Sequence, residues 1–148
     1  MRLSDLHSKV DIYNKRLYNE DMDKMPTIYL DMDGVLADFF GGVEKLYGVD
    51  HWKELTNDKT KDLKSEVIAR ITGTNFFETL PKFPTADNLI KMVKDFTGGT
   101  YSINTSPLRG DNENSAKYKK VWINKHIEQP KEIVVTGRKE SWAINKQT

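Results

Sequence analysis

The sequence contains no cysteine. That excludes a disulfide framework, a thiol nucleophile and any zinc site built on thiolates. It has no apolar run long enough to cross a bilayer. Its first residues, MRLSDLHSKVDIYNKRLYNEDMDK, lack the apolar segment of a secretory signal. The expected location is therefore the cytoplasm, with no membrane partner. Charge of one sign is also missing: 23 Lys and Arg stand against 22 Asp and Glu, for a net charge of +1. Bulk electrostatics thus argue against nucleic acid or an anionic membrane as a partner, although a local cluster could still hold a phosphate. Repeats and low-complexity segments are absent as well. What is present is 148 residues, 37% hydrophobic and 30% charged, enough for one domain with a buried core.

The hydrophobic pattern alternates between short apolar runs and helical stripes. Leu3, Leu6, Val10, Tyr13 and Leu17 predict an amphipathic helix ahead of the main domain. Thr27–Leu30 reads as a buried strand, and the segment after it as a helix stopped by Gly48. Residues 50–70 read as charged and helical. TADNLIKMVKDFTGG predicts a helix with Thr85 as its cap, Leu89, Ile90, Val93 and Phe96 as its inner stripe, and Gly98 as its end. Thr100–Asn104 and Glu132–Val135 read as two further strands. Between them NSAKYKKVWINKHI reads as a helix with Tyr118, Val121, Trp122 and Ile127 inward. Strands alternating with helices imply an α/β fold with a parallel sheet.

In such sheets ligands bind beyond the carboxyl ends of the strands. The first strand ends in Asp31 and Asp33, the second in Thr105 and Ser106, the third in Thr136, Arg138 and Lys139. Two acids, hydroxyls and cations around one crevice suit a divalent metal and a phosphoryl group. The triplet Asp21-Met22-Asp23 repeats the Asp-x-Asp spacing but follows no apolar strand and precedes no glycine, so it reads as a solvated linker. His7, His51 and His126 have no ligand spacing.

DMDGVLADF, followed by NTSP and TGRK, resembles the haloacid dehalogenase (HAD) superfamily of phosphohydrolases. With FFETLPKFP added, it looks like the 5'(3')-deoxyribonucleotidase branch, including bacterial and phage members. The resemblance runs from about Ile28 to Lys139. It implies a Rossmann-like parallel sheet over residues 26–40 and 85–148, a small helical cap over 41–84, and residues 1–25 as a helical extension. It implies Mg²⁺ bound by Asp31 and Asp33, with Asp31 as nucleophile and Asp33 as general acid and base. Thr105 and Lys139 would complete the catalytic set, Thr105 by donating a hydrogen bond to the phosphoryl oxygens and Lys139 by neutralising charge on the phosphate and the nucleophile. Phe39, Phe76 and Phe77 match the aromatic residues that enclose base and sugar in that branch, and Ser106, Arg109 and Lys119 match its phosphate contacts. Arg109 stands where relatives often carry Lys. Lys119 is aligned by its spacing to Trp122, with Lys117 as the rival.

One motif of the family is not matched. A further strand ending in two acids should follow Lys139, whereas the chain reads KESWAINKQT to Thr148. The final strand-helix unit and one metal-binding carboxylate are therefore expected to be missing. The expected substrate is a nucleoside monophosphate hydrolysed through an aspartyl-phosphate. The alternatives are a protein that binds or sequesters nucleotides without hydrolysis, and an enzyme completed by a second chain as a homodimer or by strand swapping. A nucleic-acid end phosphatase is disfavoured by the near-neutral charge.

Overall fold

Four consecutive buried residues, Ser102–Thr105, form the central strand of the molecule. The computed structural model describes residues 25–56 and 62–137. The helix expected within residues 3–20, the Asp21–Asp23 triplet and Lys139 lie outside them. Strands β1 (Tyr29–Leu30), β2 (Ser102–Thr105) and β3 (Ile133–Val135) make one parallel sheet in the order β1-β2-β3. Tyr29 pairs with Ser102, and Ile103 with Ile133. The outer strands are a residue or two shorter than expected, although the Ile28 and Glu132 carbonyls just before them still accept from the Ser102 and Ile103 amides at 3.1 and 2.9 Å, and the central strand is shifted from the expected Thr100–Asn104 to Ser102–Thr105.

The helices are α1 (Phe39–Tyr47), α2 (Leu63–Ile71), α3 (Ala86–Thr97) and α4 (Asn112–His126). The protein is thus mixed α/β. The Asp38 carboxylate caps α1 by accepting from the Gly41 amide at 2.9 Å, and Gly48 ends the helix in the left-handed conformation. Asp62 caps α2 through Ser65 in the same way. This second cap corrects the expectation of one helical stretch over 50–70. The chain instead makes a 3₁₀ turn at Trp52–Thr56 and starts afresh at Leu63. Helix α3 begins and ends as expected, but Thr85 makes no side-chain cap bond. Phe96 is 69% exposed and is not part of the inner stripe. Thr97 takes the inner place, donating to the Val93 carbonyl at 3.0 Å.

The strands follow chain order across the sheet, with α1, α2 and α3 in the first crossover and α4 in the second. Lys82 bonds the first turn of α3 to the last residue of α4, donating to Asp87 at 2.9 Å and to the His126 carbonyl at 3.0 Å. The described residues of the 41–84 segment leave and rejoin the sheet side by side: the Asp38 amide donates to the Pro81 carbonyl, and the Phe83 amide to the Leu36 carbonyl, at 2.8 and 2.9 Å. They share one apolar cluster with the sheet layer. Val43, Ile71, Phe77 and Leu80 belong to it, together with Ile103, Trp122 and Ile123. The Trp122 indole, fully buried, donates to the Leu80 carbonyl at 2.8 Å and so fixes this segment on α4. No helix among the described residues is long and apolar enough to cross a membrane.

Candidate functional site

The site starts where β1 stops. Beyond Leu30 the chain closes a tight loop: the Leu36 and Ala37 amides both donate to the Met32 carbonyl at 2.9 Å, and Gly34 donates to Ala37 at 2.9 Å. Gly34 sits at φ 78°, a conformation that costs any residue with a β-carbon. The loop buries Met32, Leu36 and Ala37 completely and leaves Asp31 and Asp33 half-buried at the strand end. Asp31 turns Oδ1 back onto the Met32 amide, 2.8 Å away.

Lys119 joins these elements. It lies mid-helix on α4 and is 1% exposed. Its ammonium donates to Asp33 Oδ2 at 2.8 Å, to Thr105 Oγ1 at 3.2 Å and to the Ser106 carbonyl at 2.6 Å. The Phe77 ring lies beneath it, 4.6 Å from centroid to nitrogen. A buried ammonium is tolerable only when its donors are used, and here all three have an oxygen. One cation therefore gathers the ends of β1 and β2. β3 is brought alongside by Thr136, whose amide donates to the Thr105 carbonyl at 2.9 Å. Ser106 is half-buried, as is Phe39, whereas Arg109 is exposed on the loop that follows β2.

Lys119 rather than Lys117 occupies the site: Lys117 is exposed and reaches over the Tyr118 ring. Phe76 and Phe77 are 5% and 4% exposed. Phe77 meets the site through Lys119. Phe76 stands edge-on to Phe39, with ring centroids 5.6 Å apart, and belongs to the same apolar cluster. Nothing in the sequence marks Phe77 as the floor of the ammonium. The pairing of Lys119 with Trp122 on one helix face was visible, because residues three apart stack on the same side.

The oxygens at the end of β1 suit a hard cation. Asp33 Oδ1 is buried with no hydrogen-bond partner, while Oδ2 is taken by Lys119. An orphaned carboxylate oxygen two residues from a second carboxylate fits Mg²⁺, which takes one or two carboxylates and fills its other positions with water and phosphate. Among the described residues no cluster of three or more Asp, Glu, His or Cys side chains is present, so water and phosphate would supply the rest.

The turn at residues 73–74 is bonded to the start of α4. The Gly73 amide donates to Asp111 Oδ2 at 3.0 Å, and Asn114 Nδ2 to the Thr74 carbonyl at 2.9 Å. The Glu78 carboxyl is held below its usual range chiefly by the hydrogen bond from Lys125. No protein-family model matches the chain, and none of the curated proteins searched matches it either.

Proposed function

We propose that the chain is a Mg²⁺-dependent phosphatase of the haloacid dehalogenase type, acting on nucleoside or deoxynucleoside monophosphates. The observation that carries this reading is the Lys119 ammonium bonded at once to Asp33, Thr105 and Ser106. A cation, a hydroxyl and two carboxylates at adjacent strand ends are what phosphoryl transfer needs, since its catalysis is mostly positioning and charge neutralisation.

In this reading an Asp31 oxygen attacks phosphorus and the bond from phosphorus to the ester oxygen breaks. Asp33 gives that leaving oxygen its proton. Water then attacks the aspartyl-phosphate and Asp33 takes a proton from it. The bond between Asp31 and phosphorus breaks, releasing inorganic phosphate and restoring both carboxyl groups. Thr105 donates its hydroxyl proton to the phosphoryl oxygens, Lys119, whose three protons are taken, lends positive charge through Asp33 and Thr105, and Lys139 would add charge as the family resemblance implies. Asp31 and Asp33 would hold Mg²⁺, which would supply charge neutralisation for the phosphoryl group.

A second reading is nucleotide binding without hydrolysis. It is favoured by the Lys119–Asp33 ion pair, which occupies the proposed acid. Mg²⁺-dependent phosphate release from a panel of nucleoside monophosphates decides between them, with Asp31→Asn as control. Release that the control abolishes establishes the phosphatase. Tight nucleotide binding by the wild type without release establishes the binder.

A further inference from the structure

Among the described residues three buried polar side-chain atoms have no hydrogen-bond partner: Asp33 Oδ1, Asn104 Oδ1 and the Tyr47 hydroxyl. Tyr47 lies at the end of α1, with the Arg70 guanidinium over its ring. The other two are a carboxylate and an amide oxygen, and both residues neighbour Asp31. Asp33 is two residues further along the chain. Asn104 is across from it on β2 and is 6% exposed. An amide oxygen kept from water without a donor costs free energy, so its presence in the central strand calls for a reason.

The sheet register sets Asn104 beside Asp31. Tyr29 pairs with Ser102 and Leu30 with Ile103, which carries Asp31 to the level of Asn104. Side chains alternate along a strand, so Tyr29, Asp31, Ser102 and Asn104 share one face of the sheet while Thr105 takes the other. Two bonds agree with this. Thr105 accepts from Lys119, and the Tyr29 hydroxyl donates to Glu132 on the opposite side of the sheet from it. Neighbouring strands lie about 4.8 Å apart, close enough for the Asp31 and Asn104 side chains to share one ligand. On its other side Asn104 pairs with Val134, whose side chain has no donor. An ionised carboxylate and an amide oxygen are both acceptors and cannot bond one another. A cation satisfies both.

We propose that Asn104 is a metal ligand, its Oδ1 supplying a neutral oxygen to the divalent cation held by Asp31 and Asp33. An amide suits this place electrostatically. Two carboxylates already balance the charge of Mg²⁺, and a third would repel an incoming phosphate. A neutral oxygen takes a position otherwise left to water and keeps the site open to an anion. The inference rests on the proposed phosphatase only for the identity of the cation, since metal binding is measured without any ester.

The test titrates Mg²⁺ calorimetrically into the full chain and follows the rise in melting temperature that a ligand of the folded state produces. Asn104→Leu keeps the volume and removes the orphaned oxygen. Its melting temperature in EDTA should equal or exceed that of the wild type, because no buried acceptor is left unpaired. Its Mg²⁺ affinity should fall at least about tenfold, as when a group that holds or orients a metal is lost. Asn104→Asp should do the reverse on both counts. Repulsion from Asp31 lowers its melting temperature in EDTA, and the added charge tightens Mg²⁺. Ser102→Ala, two residues back on the same face, is the control and should leave Mg²⁺ affinity unchanged.

The inference is overturned if the wild type does not bind Mg²⁺, or if Asn104→Leu binds it equally well. It is also overturned if Ser102→Ala loses as much affinity as Asn104→Leu. Should Asn104→Leu not fold, Asn104→Asp decides: Mg²⁺ bound no more tightly than by the wild type overturns the inference. Affinity lost in Asn104→Leu, from a chain that releases phosphate from no ester, keeps the ligand and removes the phosphatase reading. Phosphate release by a wild type whose Mg²⁺ affinity is indifferent to position 104 does the opposite.

Discussion

The Lys119 ammonium and Asp33 Oδ2 lie 2.8 Å apart although 86 positions separate them in the sequence, and the lysine side chain is 2% exposed. The pair is the joint between α4 and the end of β1. Replacing Lys119 by Met keeps the volume of the side chain but strips one donor from Asp33, Thr105 and Ser106 together. Breaking one side of a buried ion pair is expected to cost on the order of 3 kcal/mol, moderated here because Asp33 is 29% exposed. Urea unfolding of Lys119→Met against wild type measures it. Phosphate release should fall at least about 100-fold, as when one preorganised charge stabiliser is removed. A fully stable and active variant would refute the role given to Lys119.

Asp31→Asn should behave in the opposite way. Asparagine keeps an oxygen that can accept from the Met32 amide, so the loop has no reason to open. Stability is expected to change by less than about 1 kcal/mol, while phosphate release is lost. A melting curve beside an activity trace separates the two effects.

Trp122 is the anchor of the segment that carries Phe77. Trp122→Phe keeps an aromatic ring but leaves the Leu80 carbonyl without its donor and opens space beside it. The expected cost is about 2–3 kcal/mol. It should appear as a lower denaturant midpoint with an unchanged slope.

Tyr101 gives the chain a definite alkaline limit. Its hydroxyl donates to the Glu128 carbonyl, and its pKa is raised first by burial and then by the charges of Glu128 and Asp87. A raised acid favours the protonated native state, so this contribution is whole below the ordinary tyrosine value near 10 and shrinks as pH rises through it. Wild-type stability is expected to fall between about pH 10 and 11.5. Tyr101→Phe is expected to be less stable at pH 8, because the hydrogen bond is gone, but to lose less over that interval. Equilibrium unfolding at four pH values tests the difference in slope.

Gly34→Ala would place a β-carbon at φ 78° in open space, where nothing clashes but the backbone is strained. A destabilisation of about 1 kcal/mol is expected. Because Asp33 is the adjacent residue, activity should fall by more than stability alone explains. Thermal midpoint and kcat/KM measured on one preparation show whether it does.

The strand ends were legible because β-branched runs followed by polar residues leave little other choice in an α/β chain. Asp31, Asp33, Thr105 and Ser106 stand at those ends. Helix stops were legible for a different reason: Gly48 and Gly98 both adopt the left-handed conformation that ends a helix. The break within 50–70 was hidden, since Asp62 is one acid among many and its capping role is a matter of geometry. Phe96 misled because it sits at helical spacing from Val93 and Leu89, yet the inner place went to Thr97, whose hydroxyl satisfies itself on the helix backbone. The burial of Phe76 and Phe77 was not legible, because an aromatic pair reads the same whether it faces a ligand or a core. Lys119 was placed by its resemblance to a phosphate contact. That it also grips Asp33 depends on tertiary packing, which no spacing within α4 encodes.

The tyrosine on β1 has a consequence for how the chain comes into being. Tyr29 reaches across the small Ser102 to Glu132, 103 residues later, with a bond of 2.8 Å. Until β2 has left the ribosome, β1 has no sheet to join. At about 5–20 residues per second, the 86 residues added from Asp33 up to and including Lys119 take roughly 4–17 s to synthesise. For that interval the carboxylates of the first motif exist without the cation that gathers them. The cluster is therefore a late product of translation, and a nascent chain halted before Lys119 would display Asp31 and Asp33 without the ammonium that joins them to β2.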